Sequence, residues 1–78
     1  MNETAIRVKT LIMEKLGCRE SQLTGHLSLS GDLGYDSLYL YELFIELEKE
    51  FSIEIPGDDA EKLKTAEDIV RYVQHKTG

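Results

Sequence analysis

The segment from Ser37 to Phe51 constrains the fold most, because it contains neither glycine nor proline. Its apolar residues recur at positions i, i+3, i+4, i+7 and i+11, namely Leu40, Leu43, Phe44, Leu47 and Phe51. On a helix this spacing gathers the apolar side chains into one sector. The pattern therefore predicts an amphipathic helix whose apolar side must be buried against other elements.

Two further segments, one near each end of the chain, show a similar helical spacing. The first helix is predicted from Glu3 to Leu16, with Gly17 at its end. Its apolar positions are Ala5, Ile6, Val8, Ile12, Met13 and Leu16. A last helix is predicted after Thr65, which forms a capping-box pattern with Asp68 in place of the usual Glu. Its apolar positions are Ile69, Val70, Tyr72 and Val73.

The two connecting segments complete the predicted architecture. Residues 18–36 are rich in turn-forming side chains and predict a long ordered loop pinned by leucines. These leucines are Leu23, Leu27, Leu29 and Leu33. Pro56 interrupts the helical pattern after the long helix, and a short helix is expected from Gly57 to about Leu63. The fold class predicted is all-α: one domain over residues 1–78, a small four-helix bundle of three longer helices and one short helix, with the long loop between helices one and two.

Charge and cysteine content limit the classes of function. The chain has 15 acidic and 9 basic side chains and a net charge of −6, which repels nucleic acid and anionic lipid headgroups. No segment is long and apolar enough for membrane insertion. Cys18 is the only cysteine, so there is no disulfide framework, and one unpaired thiol fits a reducing compartment. We therefore expect a cytoplasmic monomer that does not bind nucleic acid and does not insert into a membrane.

The most informative stretch reads GDLGYDSL over residues 31–38. It places Ser37 where the loop becomes the long helix and where backbone N–H groups have no helical acceptor. A phosphate attached there would lie at the positive end of the helix dipole, an effect of about 0.3–1 kcal/mol. Asp32 and Asp36 would repel that phosphate, and they fit contacts to a basic enzyme or its metal ion better. From these residues alone, simple capping of the helix by Asp36 and Ser37 remains open.

A catalytic role for Ser37 finds little support in the sequence. A nucleophilic serine needs a general base, and the strained elbow of many hydrolases has glycine two residues before and two residues after the serine. Tyr35 and Tyr39 occupy those positions. The two histidines and the cysteine are too scattered to predict a triad or a zinc site. We therefore expect no enzyme and no metal centre, and a serine that another protein modifies.

The run of motifs around and after Ser37 resembles the acyl carrier protein family over nearly the whole chain. The matching segments are residues 34–38, 41–43, 47–51, 53–56, 59–63 and 65–73. The resemblance implies that a phosphopantetheinyl transferase moves 4′-phosphopantetheine from coenzyme A onto the Ser37 hydroxyl. The thiol of this arm would then hold acyl groups as thioesters, and Asp36 would help to engage the transferase and its magnesium ion.

A second apolar stripe on the long helix is offset from the core sector and consists of Leu38, Tyr41 and Ile45. Glu42 and Glu48 border it, so it fits either a docking surface or the edge of a wide core. In the family this helix presents apolar and acidic side chains to basic patches on successive enzymes. The resemblance matches this surface at Leu38, Glu42, Ile45 and Glu48. With Tyr41 from the apolar stripe, these residues are expected to contact the enzymes that load and process the acyl group.

Several residues differ from common fatty-acid carriers, which suggests a hypothesis about partners. Tyr39, Leu40 and Tyr41 are bulkier than usual after the serine, and Glu46 stands where a small residue is frequent. We therefore expect a specialised carrier in fatty-acid, polyketide or related biosynthesis. The alternatives are a peptidyl or aminoacyl carrier and an unmodified helical adaptor. Core residues that could part to admit an acyl chain are Phe44, Leu47, Ile55, Ala60 and Leu63.

Overall fold

The computed structural model describes residues 3–23 and 26–77, which form a helical bundle. The helices are α1 (Glu3–Leu16), α2 (Ser37–Phe51), α3 (Gly57–Ala60) and α4 (Ala66–Thr77), and a 3₁₀ turn (Glu20–Leu23) lies in the loop after α1. The predicted all-α fold of three longer helices and one short helix is confirmed. In the part of the chain that the structure describes, no helix has the length and apolar character needed to span a membrane.

The core lies where α1 packs against both α2 and α4. The side chains with no exposed surface are Val8, Ile12, Leu43, Leu47, Ile69 and Val73. They come from the three sectors that the helical spacing predicts. Ile6 was also expected in the core, but it is 50% exposed. It therefore lies at the edge of the α1 sector rather than within the core.

The helix ends follow local sequence signals. Gly17 adopts φ +70°, and its N–H donates to Met13 O at 2.8 Å, which ends α1. At the start of α4 the Asp68 N–H donates to Thr65 Oγ1 at 3.0 Å, and the Thr65 N–H donates to Asp68 Oδ2 at 3.2 Å. The predicted capping box is therefore confirmed, with Asp in the position usually held by Glu.

The short helix α3 ends earlier than the sequence predicted. It spans Gly57–Ala60, and the following N–H groups of Lys62 and Leu63 donate three residues back, to Asp59 O and Ala60 O. Hydrogen bonds of this spacing are typical of 3₁₀ geometry, in which longer runs are unstable. The segment thus continues as turns to about Leu63 rather than as α-helix.

Two side-chain contacts hold the α2–α3 link and α3 in place. Glu48 Oε2 accepts a hydrogen bond from the Ile55 N–H at 2.7 Å, and the Tyr72 hydroxyl donates to Asp59 Oδ2 at 2.7 Å. Burial is the larger cause, and the hydrogen bond to Asp59 the smaller one, that raises the pKa of Tyr72 to about 12. The pKa of Tyr72 is thus higher in the folded than in the unfolded protein. The stability that the protonated hydroxyl contributes is complete below the unfolded pKa, near 10, and is lost as the pH rises toward 12.

The loop before α2 is tied to the segment that joins α3 to α4. The Leu29 N–H donates to Lys64 O at 2.8 Å, and Ser28 and Thr65 form an isolated β-bridge. Leu29 is buried as expected, whereas Leu27 is 41% exposed and does not pin the loop. These contacts hold the loop that precedes Ser37 against the connection between α3 and α4.

Candidate functional site

Ser37 is the first residue of α2, and its side chain is exposed. The N-cap is Asp36, whose backbone is extended and whose Oδ1 accepts the Leu38 N–H at 3.0 Å. The sequence left open whether the serine itself caps the helix, and the structure gives that role to Asp36. The Ser37 hydroxyl makes one long hydrogen bond, to Asp36 Oδ1 at 3.4 Å. It is therefore held weakly and stands open to another protein.

The backbone that leads into Ser37 has a conformation that requires glycine. Gly34 adopts φ +77°, which side-chain-bearing residues rarely do, and the next N–H, of Tyr35, donates to Leu29 O at 2.9 Å. Asp32 Oδ2 accepts the Ser28 N–H at 2.8 Å. Asp32 thus stabilises the loop, so Asp36 is the carboxylate adjacent to the serine.

A cleft of about 600 Å³ opens beside Ser37, between α2 and the α3 segment. Its apolar lining consists of Leu38, Leu40, Tyr41, Phe44, Ala60 and Leu63, and its polar lining includes Ser30, Ser37, Glu61 and Lys64. Phe44, Ala60 and Leu63 are among the residues expected to admit an acyl chain. Leu47 and Ile55, which were also expected there, are buried in the core and do not line the cleft.

Comparison with known proteins decides the family. A family model described as phosphopantetheine attachment site matches residues 7–73. This chain belongs to the acyl carrier protein family. It is also similar to a solution structure from Anaplasma phagocytophilum that was provisionally assigned as an acyl carrier protein. The two share 35% identity and a TM-score of 0.86, over 99% of this chain and 91% of that chain.

The carrier's prosthetic group is a covalently attached 4′-phosphopantetheine, and members of this family are not themselves enzymes. The residues present fit such a group, because the exposed Ser37 hydroxyl lines a mostly apolar cleft. The arm supplies a terminal thiol, and the chain supplies a rigid helix end from which the arm extends. In residues 3–23 and 26–77, no three His, Cys, Asp or Glu side chains cluster as a metal site requires.

The outer side of α2 in the carrier is apolar near Ser37. Leu38 is 62% and Tyr41 is 63% exposed, so these two residues belong to the surface rather than to the edge of the core. Glu42 is exposed and lies 3.9 Å from Lys15 Nζ. Ile45 and Glu48 are half-buried. The structure thus brings the five expected contact residues onto one helix, but Leu38, Tyr41 and Glu42 are the more accessible.

Sequence reasoning missed two residues that line the cleft beside Ser37. Ser30 and Lys64 line the cleft although 34 positions separate them, and neither belongs to an apolar pattern or motif. Outside the cleft lining, Cys18 is buried and contacts Tyr35. Burial is the main cause, and the contact with Cys18 the smaller one, that raises the pKa of Tyr35. Only the pairing of the loop with the α3–α4 connection could have placed Ser30 and Lys64 together.

Proposed function

We propose that Ser37 is the residue that bears the phosphopantetheine and that the carrier holds acyl groups as thioesters on it. One observation carries this proposal: an exposed serine hydroxyl lies at the start of a rigid helix and at the mouth of an apolar cleft. The carrier would deliver these groups to enzymes of fatty-acid, polyketide or related biosynthesis.

The attachment chemistry needs an external base. The Ser37 oxygen attacks the phosphorus next to the pantetheine of coenzyme A, the phosphoanhydride bond breaks, and adenosine 3′,5′-bisphosphate leaves. Asp36, at 3.4 Å, is the hydrogen-bond partner of the Ser37 hydroxyl, and it is occupied in capping α2. We therefore assign removal of the serine proton to the transferase, with Asp36 helping to engage the transferase and its magnesium ion.

The acyl reading is favoured over the two alternatives. The pair Tyr35-Asp36 before the serine suits an acyl carrier better than a peptidyl or aminoacyl carrier, and the similar structure at 35% identity bears the acyl carrier assignment. An unmodified adaptor would have no use for a free hydroxyl at the cleft. We propose that the domain covers residues 1–78 and acts as a cytoplasmic monomer, in keeping with the unpaired Cys18 thiol.

The partner surface proposed on α2 consists of Leu38, Tyr41, Glu42, Ile45 and Glu48. Exposed apolar side chains next to carboxylates suit brief docking on basic enzyme surfaces, because electrostatic attraction mainly speeds encounter and orients the complex. The bulk of Tyr39 and Tyr41, both exposed, supports a specialised carrier with a narrower set of partners.

The attachment proposal is tested by incubating the protein with coenzyme A and a broad-specificity phosphopantetheinyl transferase. We expect one phosphopantetheine per chain, located on Ser37 by peptide mass mapping. An unmodified chain, or an adduct on a different side chain, would overturn the proposal.

Substitution of Asp36 should separate its structural role from its role toward the transferase. Asp36→Ala removes the side chain that accepts the Leu38 N–H and is expected to cost about 0.5–2 kcal/mol of stability. Asp36→Asn retains a capping oxygen and should keep the stability, yet it should slow modification because the carboxylate charge is lost. Urea unfolding and initial transfer rates measure the two effects. Modification of Asp36→Asn at the normal rate would contradict the second role.

The cleft is expected to receive the first methylenes of a bound acyl chain. Burial stabilises each methylene by about 0.8 kcal/mol, so a long chain gains more than a short one. We expect the amide NMR shifts of Leu40, Phe44 and Leu63 to change between the thiol form and a long-acyl form. Val8, buried on α1 away from the cleft lining, serves as the internal control. Unchanged shifts at all cleft residues would exclude entry of the chain.

A further inference from the structure

One cation lines the cleft beside Ser37, and it is Lys64. Glu61 is the carboxylate in the same lining. Among the residues described, the ion pairs join Arg7 with Glu50, Lys15 with Glu42 and Arg71 with Glu67. Lys64 takes part in none of these pairs, so its positive charge is available to an anion in the cleft.

The backbone of Lys64 is held on both sides. Its N–H donates to Asp68 Oδ2 at 3.2 Å, which ties it to the capping box of α4. Its carbonyl accepts the Leu29 N–H at 2.8 Å, which ties it to the loop that leads to Ser37. The ammonium therefore extends from a fixed point, and the loss of side-chain entropy is the main cost of using it.

A phosphodiester on Ser37 would meet an unfavourable charge on one side. Asp36 Oδ1 lies 3.4 Å from the Ser37 oxygen, so its carboxylate repels an anion attached there. The same carboxylate already accepts the Leu38 N–H. The helix end therefore has one fewer free N–H group to donate to the phosphate. A cation on the cleft side would offset the repulsion and draw the phosphate toward the cleft.

We propose that Lys64 is a positioning residue that pairs with the phosphodiester on Ser37 and directs the start of the arm across the cleft mouth. The inference rests on the proposed attachment at Ser37. It assigns to Lys64 the direction in which the arm leaves Ser37, across the cleft rather than out into solvent. The cleft path places the arm next to the apolar lining that would receive an acyl chain.

The pairing is tested by comparing unmodified and phosphopantetheinylated forms of the original protein and of Lys64→Gln. Urea unfolding at low salt gives one unfolding equilibrium constant for each of the two forms of the two proteins. Exposed ion pairs contribute only modest stabilisation. We therefore expect Lys64→Gln to raise the unfolding equilibrium constant of the modified form about two- to fivefold more than that of the unmodified form. The ³¹P resonance of the diester should also shift between the two modified proteins. At about 1 M salt, where the screening length is about 3 Å, both differences should disappear.

Two neighbouring substitutions distinguish a specific pair from a general charge effect. Lys62→Gln removes the same charge from an exposed side chain that does not line the cleft, and it should leave the modified form unaffected beyond the unmodified one. Glu61→Gln removes the opposing charge from the lining and should stabilise the modified form preferentially. Equal effects at Lys62 and Lys64, or no preferential effect of Lys64→Gln, would overturn the inference. Failure of attachment would be seen earlier, as the absence of any modified protein by mass.

Discussion

Ser37→Ala is expected to abolish phosphopantetheine transfer while leaving the helical bundle folded. The substitution removes the oxygen that would form the new bond to phosphorus. It leaves the cap of α2 intact, because Asp36 and not Ser37 accepts the Leu38 N–H. The cost in stability should stay within about 0.5 kcal/mol, as for surface substitutions in general. Intact mass after incubation with coenzyme A and transferase measures the first effect, and circular dichroism during urea unfolding measures the second.

Ser30→Ala is the matched control for this experiment. Ser30 is exposed and lines the same cleft, so a hydroxyl is removed within the same surroundings. Its modification should proceed as in the original protein. Two results would contradict the assignment of Ser37: continued addition to Ser37→Ala, or loss of addition in Ser30→Ala.

The helices could be predicted because their signals are local. The buried sector of α2, the turn at Gly17 and the capping box of Thr65 and Asp68 each depend on residues within one or two helical turns. The errors concern burial and the length of α3. Ile6 has the spacing of the buried face but is 50% exposed, because periodicity identifies a face and does not show how far the neighbouring elements extend over it. Leu27, in the loop, is also exposed, and α3 ends at Ala60.

The site could be predicted in part for the same reason. The sequence placed Ser37 at the start of α2 through the glycines and aspartates before it, and the structure agrees. The cleft is lined by Ser30 and Lys64, whose segments lie far apart in sequence and are joined by the hydrogen bond between Leu29 and Lys64. The use of Glu48 to accept the Ile55 N–H was likewise hidden, since it requires the extended link to fold back on α2.

The two sides of α2 therefore have different constraints. Its inner side holds Leu43 and Leu47 with no exposed surface, which fixes the position and direction of the helix. Its outer side leaves Leu38 and Tyr41 in solvent, where they contribute little to folding. A carrier that must present its arm reproducibly and yet release each partner needs this separation, because tight packing serves the first requirement and exposed contacts serve the second.

Leu47→Ala should test the inner side and is expected to destabilise the protein by about 2–5 kcal/mol. Leu47 is 0% exposed, so the truncation loses buried apolar contacts and leaves a cavity between α2 and the rest of the core. Small domains bury a modest fraction of their surface and have total stabilities near the lower end of about 5–15 kcal/mol. We therefore expect a large loss of stability in urea unfolding, and a measurable unfolded population without denaturant.

Leu38→Ala makes the same chemical change nine positions earlier, on the outer side of α2, where the side chain is 62% exposed. It should change the free energy of unfolding by no more than about 0.5 kcal/mol and should instead slow transfer to or from a partner enzyme. Comparable destabilisation by the two substitutions would show that Leu38 is packed in solution. A normal transfer rate for Leu38→Ala would show that partners do not use this side chain. The opposite pattern, stability lost at Leu47 and docking lost at Leu38, follows if core and docking surface lie on opposite sides of one helix.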